Sequence, residues 1–193
     1  MSASMQSAVQ HNEPVSFPLN LAADEPQPRE LVDAGTFRQG MRFLASGVSI
    51  IASIHDGVRS GLTATAVCSV TADPPRLLVC VNKNVHAHNV IQASGILSVN
   101  LLSSQQEDIA KCFAGMQEGV SGTDRFSVGE WTQLITGAPI LEHALVSFDC
   151  RVLESHTASS HTGLLCEVVG VRCGIDEDAL VYFNGVFHAL KNQ

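Results

Sequence analysis

A chain of 193 residues, 45% hydrophobic and only 16% charged, holds enough apolar material for one sizeable core, and a mean hydropathy of +0.17 excludes disorder over its whole length. Aromatic residues are 5%, so that core must be Val, Leu, Ile and Ala. Eleven Lys and Arg against 19 Asp and Glu give a net charge of −8, which disfavours a general nucleic-acid binder with its basic face.

Residues 1–32 carry Pro14, Pro18, Pro26 and Pro28, and the acids Glu13, Asp24, Glu25 and Glu30 against a single Arg29. That composition predicts a disordered or loosely packed N-terminal extension, with the folded domain spanning 33–193. There is no basic start followed by an apolar run, and no apolar stretch near ~18 residues, so a cytoplasmic protein without a membrane partner is expected. Cysteines at 68, 80, 112, 150, 166 and 173 form no C-x-x-C pair and read as reduced thiols.

Asp33 or Thr36 is positioned to cap a helix whose apolar stripe is Phe37, Met41 and Leu44, with Gly47 ending it. VSIIASI (48–54) predicts a strand and His55-Asp56-Gly57 a hairpin turn. The segment GLTATAVCSVT (61–71) alternates small apolar with mostly hydroxyl residues and reads as one strand. Asp73-Pro74-Pro75 is a turn, and RLLVCVN (76–82) a strand apolar on both faces, hence central. Val85 to Ala93 suits a short helix, GILSVNLL (95–102) a strand, and Ser104 caps a helix to Phe113 with Glu107 at the capping-box position.

Residues 114–139 form a long glycine-rich connection holding Trp131, the sole tryptophan. Strands follow at 145–153 and at 163–173, where Gly170 marks a bulge. The run 180–190 is a hairpin turning at Asn184-Gly185. Six to seven strands against two or three short helices predict a mainly β, antiparallel barrel.

The chain lacks G-x-G-x-x-G, a Walker A loop, G-x-S-x-G and H-E-x-x-H. His86 and His88 make an H-x-H pair with no third ligand nearby in sequence, so no metal site is assigned. The hydroxyl-rich face of 61–71 is either a barrel strand's solvent face or a polar wall for a flat heteroaromatic ligand. Asn82-Lys83-Asn84, just before a helix, is either an anion site or a solvated strand end.

Taken in order, TATAVCSVTADPPRLLVCVNKNVHAHNVI (63–91), FAG (113–115), TGAPIL (136–141), SHTGLLCEVVGV (160–171) and LVYFNGVFHAL (180–190) resemble the flavin reductase-like family. These are small NAD(P)H:flavin oxidoreductases that supply two-component monooxygenases. The resemblance spans roughly 36–190 and implies a split β-barrel homodimer binding FMN or FAD at the subunit interface. NADH or NADPH would donate hydride, and a separate oxygenase would consume the reduced flavin. Carried over by position, Thr63, Ala64, Thr65 and Ala66 meet the ring and ribityl chain, and Ser69 follows on the same segment. Cys80, Val81, Asn82 and Lys83 line a second flavin stretch, with Lys83 on the phosphate. His88 falls near a phosphate or ribityl contact, and Phe113 near the ring edge or adenine. His161 lines the nicotinamide side as the catalytic-site histidine, with Tyr182 a further candidate there. Asn84, Val85 and His86 stand where many members carry Ser or Thr, which leaves FMN against FAD open. Two other readings remain: a non-redox flavin- or haem-binding protein, and a split-barrel flavoprotein reducing a corrinoid or metal complex.

Overall fold

The computed structural model describes residues 31–174 and 177–192. Apart from Leu31 and Val32, both exposed, the predicted N-terminal extension lies outside the described residues. Helix α1 (Ala34–Met41) starts at Asp33, whose carboxylate accepts the N–H groups of Gly35 at 2.8 Å and Thr36 at 3.0 Å. The Thr36 hydroxyl donates to the same carboxylate at 2.6 Å, and these bonds hold the Asp33 pKa below its ordinary value. The helix stops at Met41 rather than running to Gly47, and its stripe of Phe37 and Met41, with Leu44 beyond, stays exposed.

The strands follow as β1 (Ser46–Gly47), β2 (Ser49–His55), β3 (Val58–Ala64), β4 (Val67–Ala72) and β5 (Pro75–Asn82). Helix α2 (His86–Ser94) leads to β6 (Ile96–Leu101), and α3 (Glu107–Phe113) to the short pair β7 (Trp131–Gln133) and β8 (Pro139–Leu141). Two long strands, β9 (Val146–Ala158) and β10 (His161–Cys173), precede the closing hairpin β11 (Ala179–Phe183) and β12 (Val186–Leu190). Positive φ at Asp56 and Gly57, and at Asn184 and Gly185, makes both predicted two-residue turns. The register slips between Val168 and Gly170 against β9, at the predicted bulge.

Seven strands pair in the order β3-β2-β6-β9-β10-β5-β4, every pair antiparallel. Strands β3 and β4 are therefore at opposite ends of the sheet, yet only Thr65 and Ala66 separate them in sequence. A link that short spans about 10 Å, so the sheet must curl until its two edges nearly meet. The segment 61–71 is thus two strands from opposite edges rather than one. The Ala66 carbonyl accepts from Cys80 N–H at 3.0 Å as the chain changes partners.

The apolar filling divides across β2. Ile51 faces a core inside the curl with Leu77, Val79, Val81, Leu97, Val99, Cys150, Leu164 and Cys166. Ile50 and Ala52 face a second core with Ala110, Phe113, Phe126, Leu141 and Leu180. This two-sided burial is why 48–54 reads as continuously apolar. Strand β5 is flanked on both sides, as expected, but only Leu77, Val79 and Val81 are buried; Leu78, Cys80 and Asn82 are half-buried on its other face.

The second, three-stranded sheet β1-β11-β12 joins the first where Val48 N–H donates to Leu180 O, Leu102 N–H to Val48 O and Leu180 N–H to Leu102 O, all within 2.9–3.0 Å. The cap before α3 differs from expectation by one residue. Ser103, not Ser104, begins the turn at Ser104–Gln106, and the Gln106 side chain, not that of Glu107, accepts from Ser103 N–H at 3.1 Å.

The TGAPIL segment is held by buried polar groups. Asp149, fully buried, accepts Ile135 and Thr136 N–H at 2.7 Å each, and the Thr136 hydroxyl as well. Asn100 accepts Leu141 N–H at 2.9 Å and donates to Ile50 O at 3.0 Å. This motif therefore carries structure: it ties β8 across β6 and β2.

Candidate functional site

The near-meeting of β3 and β4 opens a cleft of about 520 Å³, within the ordinary range for small-molecule sites. One wall is Ser60 to Ala66 in sequence, the end of β3 and its link to β4. Cys80 and Asn82 of β5, Val85, His86 and Ala87 at the start of α2, and His161 at the start of β10 form the opposite wall. Phe113 and Ala114 at the end of α3, with Gly122 and Arg125 of the glycine-rich connection, close it.

Each wall has a local cause. Gly61 is small because Phe113 packs on it: a Cβ there would lie 2.9 Å from the Phe113 ring and 3.0 Å from the Ile51 carbonyl. Phe113 is in turn packed against Phe126 and Trp131 at centroid distances of 5.1 and 5.4 Å. Thr63 donates its hydroxyl to Ala110 O at 2.6 Å, which ties β3 to α3. Arg125 donates from Nη1 to Phe113 O at 3.2 Å, and its buried Nε has no hydrogen-bond partner. Across the cleft, His86 Nδ1 pairs with the Ser60 hydroxyl at 3.2 Å, and His161 Nδ1 with the Ser160 hydroxyl at 2.9 Å. Among the described residues no carboxylate lines the cleft; its ionisable groups are Cys80, His86, Arg125 and His161. In a chain of net charge −8 that is a local reversal of sign, and it favours an anionic occupant.

Of the residues singled out from sequence, Thr63, Ala64, Thr65, Ala66, Cys80, Asn82, Phe113 and His161 come together here. Val81 does not: it is fully buried in the barrel core, because alternate residues of β5 point to opposite faces. Ser69 is exposed on β4, outside the lining. Lys83 is half-buried just past β5, where its N–H donates to Ser160 O at 2.9 Å, and its side chain is not part of the wall. His88 bonds through Nε2 to Thr162 Oγ1 at 2.9 Å, leaving Nδ1 buried and unpartnered. Tyr182 lines a second cleft, which shares Thr65 with the first. Sequence reasoning assigned no role here to Ser60, Gly61, Leu62, Val85, His86, Ala87, Ala114, Gly122 and Arg125. Only the glycine-rich composition of 114–139 signalled the last two.

The flavin reductase like domain matches residues 41–191. The chain belongs to the flavin reductase-like family. It is 41% identical over 154 residues to the FMN reductase (NADH) RutF of Agrobacterium fabrum, covering 80% of this chain and 87% of that one. Among solved structures, the NADH:FAD oxidoreductase SgcE6 of Streptomyces globisporus is 26% identical with a TM-score of 0.75, over 86% of this chain and all of that one. The flavin reductase component BorF of a bacterial two-component tryptophan halogenase is 28% identical with a TM-score of 0.76, over 83% of this chain and all of that one. The curled, mainly β architecture is accordingly the split β-barrel of these flavin reductases.

The cleft of this flavin reductase fits a flavin on its own chemistry. Small side chains at 63–66 let a planar ring approach the backbone, and the Arg125 guanidinium in the wall brings positive charge that suits a ring carbonyl or a phosphate oxygen. The N-terminus of α2 has no side-chain cap at Val85, so its amides and positive dipole end face the same space.

Proposed function

We propose that the protein uses NADH to reduce FMN, in the cleft between Thr63–Ala66 and Arg125, and passes reduced flavin to a separate oxygenase. The observation that carries this is a cleft whose wall holds Arg125 and, among the described residues, no carboxylate, in a flavin reductase-like chain. The curated relatives are named as NADH-dependent FMN reductases, and BorF serves a halogenase.

A bound flavin supplies an electrophilic N5 that accepts hydride directly from the nicotinamide. The chain's own residues bind, orient and compensate charge. The 63–66 backbone and Phe113 set the plane of the ring. Arg125 and the α2 N-terminus offset negative charge on phosphate or on the reduced ring. His161 and Ser160, beside the end of β5, stand on the side open to the nicotinamide. Lys83 adds positive charge from behind the wall, and His88 braces Thr162.

The functional unit is residues 33–193, acting as a homodimer whose contact covers the exposed Phe37 of α1 and leaves open the cleft lined by Met41 and Leu44. Six unpaired thiols support a reducing, cytoplasmic location. The test is anaerobic oxidation of NADH and NADPH with FMN, FAD and riboflavin as acceptors. NADH with FMN should give the highest kcat/KM, and EDTA should leave it unchanged. His161→Ala should raise KM for NADH and slow hydride transfer while flavin affinity holds. Flavin binding without NADH oxidation would sink the reading.

A further inference from the structure

The second cleft has a volume of about 710 Å³, and its assignment rests on reading the first as the flavin site of a reductase. It lies between α1 and the β11–β12 turn, and its polar lining is Arg38, Gln39, Arg42, Ser46, Thr65 and Tyr182. Among the described residues no carboxylate lines this cleft either, so two arginines set its sign within an acidic chain. Thr65 borders both clefts, so a ligand in one is the immediate neighbour of a ligand in the other.

The two arginines are not equivalent. Arg42 donates from Nη2 to Asn184 O at 2.8 Å and accepts Asn184 N–H on its own carbonyl at 2.7 Å. Its guanidinium occupies the space above Gly185, where a Cβ would come within 2.8 Å of Nη2. Arg42 is thus committed to holding α1 on the hairpin turn. Arg38 sits one helical turn earlier, four residues before Arg42 and so on the same face. Its guanidinium is exposed and makes no hydrogen bond or ion pair among the described residues. Arg38 also precedes the stretch shared with the family domain, which begins at residue 41.

We propose that the second cleft takes the diphosphate of the reduced pyridine dinucleotide, and that Arg38 is the side chain that reads it. A guanidinium fork matches phosphate oxygens bidentately, and the Arg38 fork, on the same helix face as the committed Arg42, is available to a phosphate. The shared Thr65 wall then brings the nicotinamide end of that dinucleotide to the flavin, the proximity that direct hydride transfer needs.

The experiment uses the full chain and the variants Arg38→Gln, Arg38→Glu and Arg38→Lys. Steady-state KM and kcat are read with NADH at several ionic strengths, FMN affinity by fluorescence titration, and ADP-ribose binding by calorimetry. Arg38→Gln should raise KM for NADH about two- to fivefold, the range of an exposed charge pair. Arg38→Glu should raise it further, and Arg38→Lys should restore much of it. At saturating NADH, kcat should hold, and FMN affinity should be unchanged. Added salt should raise KM in the unmodified protein and do so less in Arg38→Gln. ADP-ribose should compete with NADH and weaken by the same factor. An unchanged KM and unchanged ADP-ribose binding overturn the proposal, as does an effect confined to NADPH or an equal loss of FMN affinity. If the unmodified protein fails to oxidise NADH, the flavin-reductase reading falls instead, while ADP-ribose binding still tests the second cleft.

Discussion

Arg125 is the arginine of the cleft wall, and a charge-assisted contact from a guanidinium to a phosphate is worth about 1.5–3 kcal/mol. Arg125→Gln is therefore expected to weaken FMN binding by about tenfold, measured by flavin fluorescence. Lys83→Ala should cost less, since that side chain lies off the wall, and riboflavin should not register it. FMN affinity unchanged in Arg125→Gln would reduce Arg125 to a brace on the Phe113 carbonyl. The thiols give a second residue-scale test. Burial pushes the Cys166 thiol up to about 12, and the Cys150 thiol is raised still further by burial, with Cys166 and Asp149 adding to it. The thiolate is the reactive form, so neither should be alkylated in the native protein. Cys68 and Cys173 are exposed and should react first, while half-buried Cys80 lines the cleft. Peptide mapping after alkylation should show FMN protecting Cys80 and leaving Cys68 unprotected. Equal protection of both would place flavin elsewhere.

At the scale of elements, the site depends on how β3 meets α3. Gly61→Ala drives a methyl group against the Phe113 ring and the Ile51 carbonyl, and neither can move without disturbing a core. Overpacking of this kind costs about 1–3 kcal/mol. At roughly 2–4 °C per kcal/mol in a domain this size, the melting midpoint should fall by about 2–12 °C. Flavin affinity should fall with it, because Phe113 is also a wall of the cleft. Gly61→Ala combined with Phe113→Leu should recover part of the midpoint; no recovery would show that the backbone carbonyl, not the ring, is the obstacle. The same element explains a misreading. Period two runs through 61–71, with Val67 at the start of β4 the single apolar residue in the otherwise hydroxyl series, and one such exchange does not mark where the chain leaves β2 as a partner and takes up β5.

For the whole molecule, α1 is the unfinished part: it has no buried residue, and Phe37, Phe43 and Leu44 are 61%, 66% and 59% exposed. Its ties to the rest include the Arg42 bonds to Asn184 and the Phe43–Phe183 ring contact at 6.3 Å. Apolar surface concentrated on one element marks an interface. Phe37→Glu should shift light-scattering mass from dimer towards monomer, with flavin turnover per chain falling as it does. A monomeric unmodified protein would place the stripe's partner elsewhere. Removing residues 1–30 should leave the melting midpoint within about 2–4 °C, since a contribution of one kcal/mol moves it by that much.

The local features were legible in the sequence: most of the strands, the turns at Asp56-Gly57 and Asn184-Gly185, a cap at Asp33 or Thr36, the bulge at Gly170. Each depends on residue type and on period within a few positions. The ordered motifs also carried the family. Long-range pairing settled the rest: that 61–71 splits between two edges, that Val81 faces the core while Cys80 faces the cleft, and that His86, Gly122 and Arg125 join the wall. These depend on which strands pair over long separations and how far the sheet curls, and no local pattern encodes either. TGAPIL is the converse case: prominent as a motif, it serves to seat β8 through the buried Asp149 and Asn100, because those buried groups must be satisfied before any site can form above them.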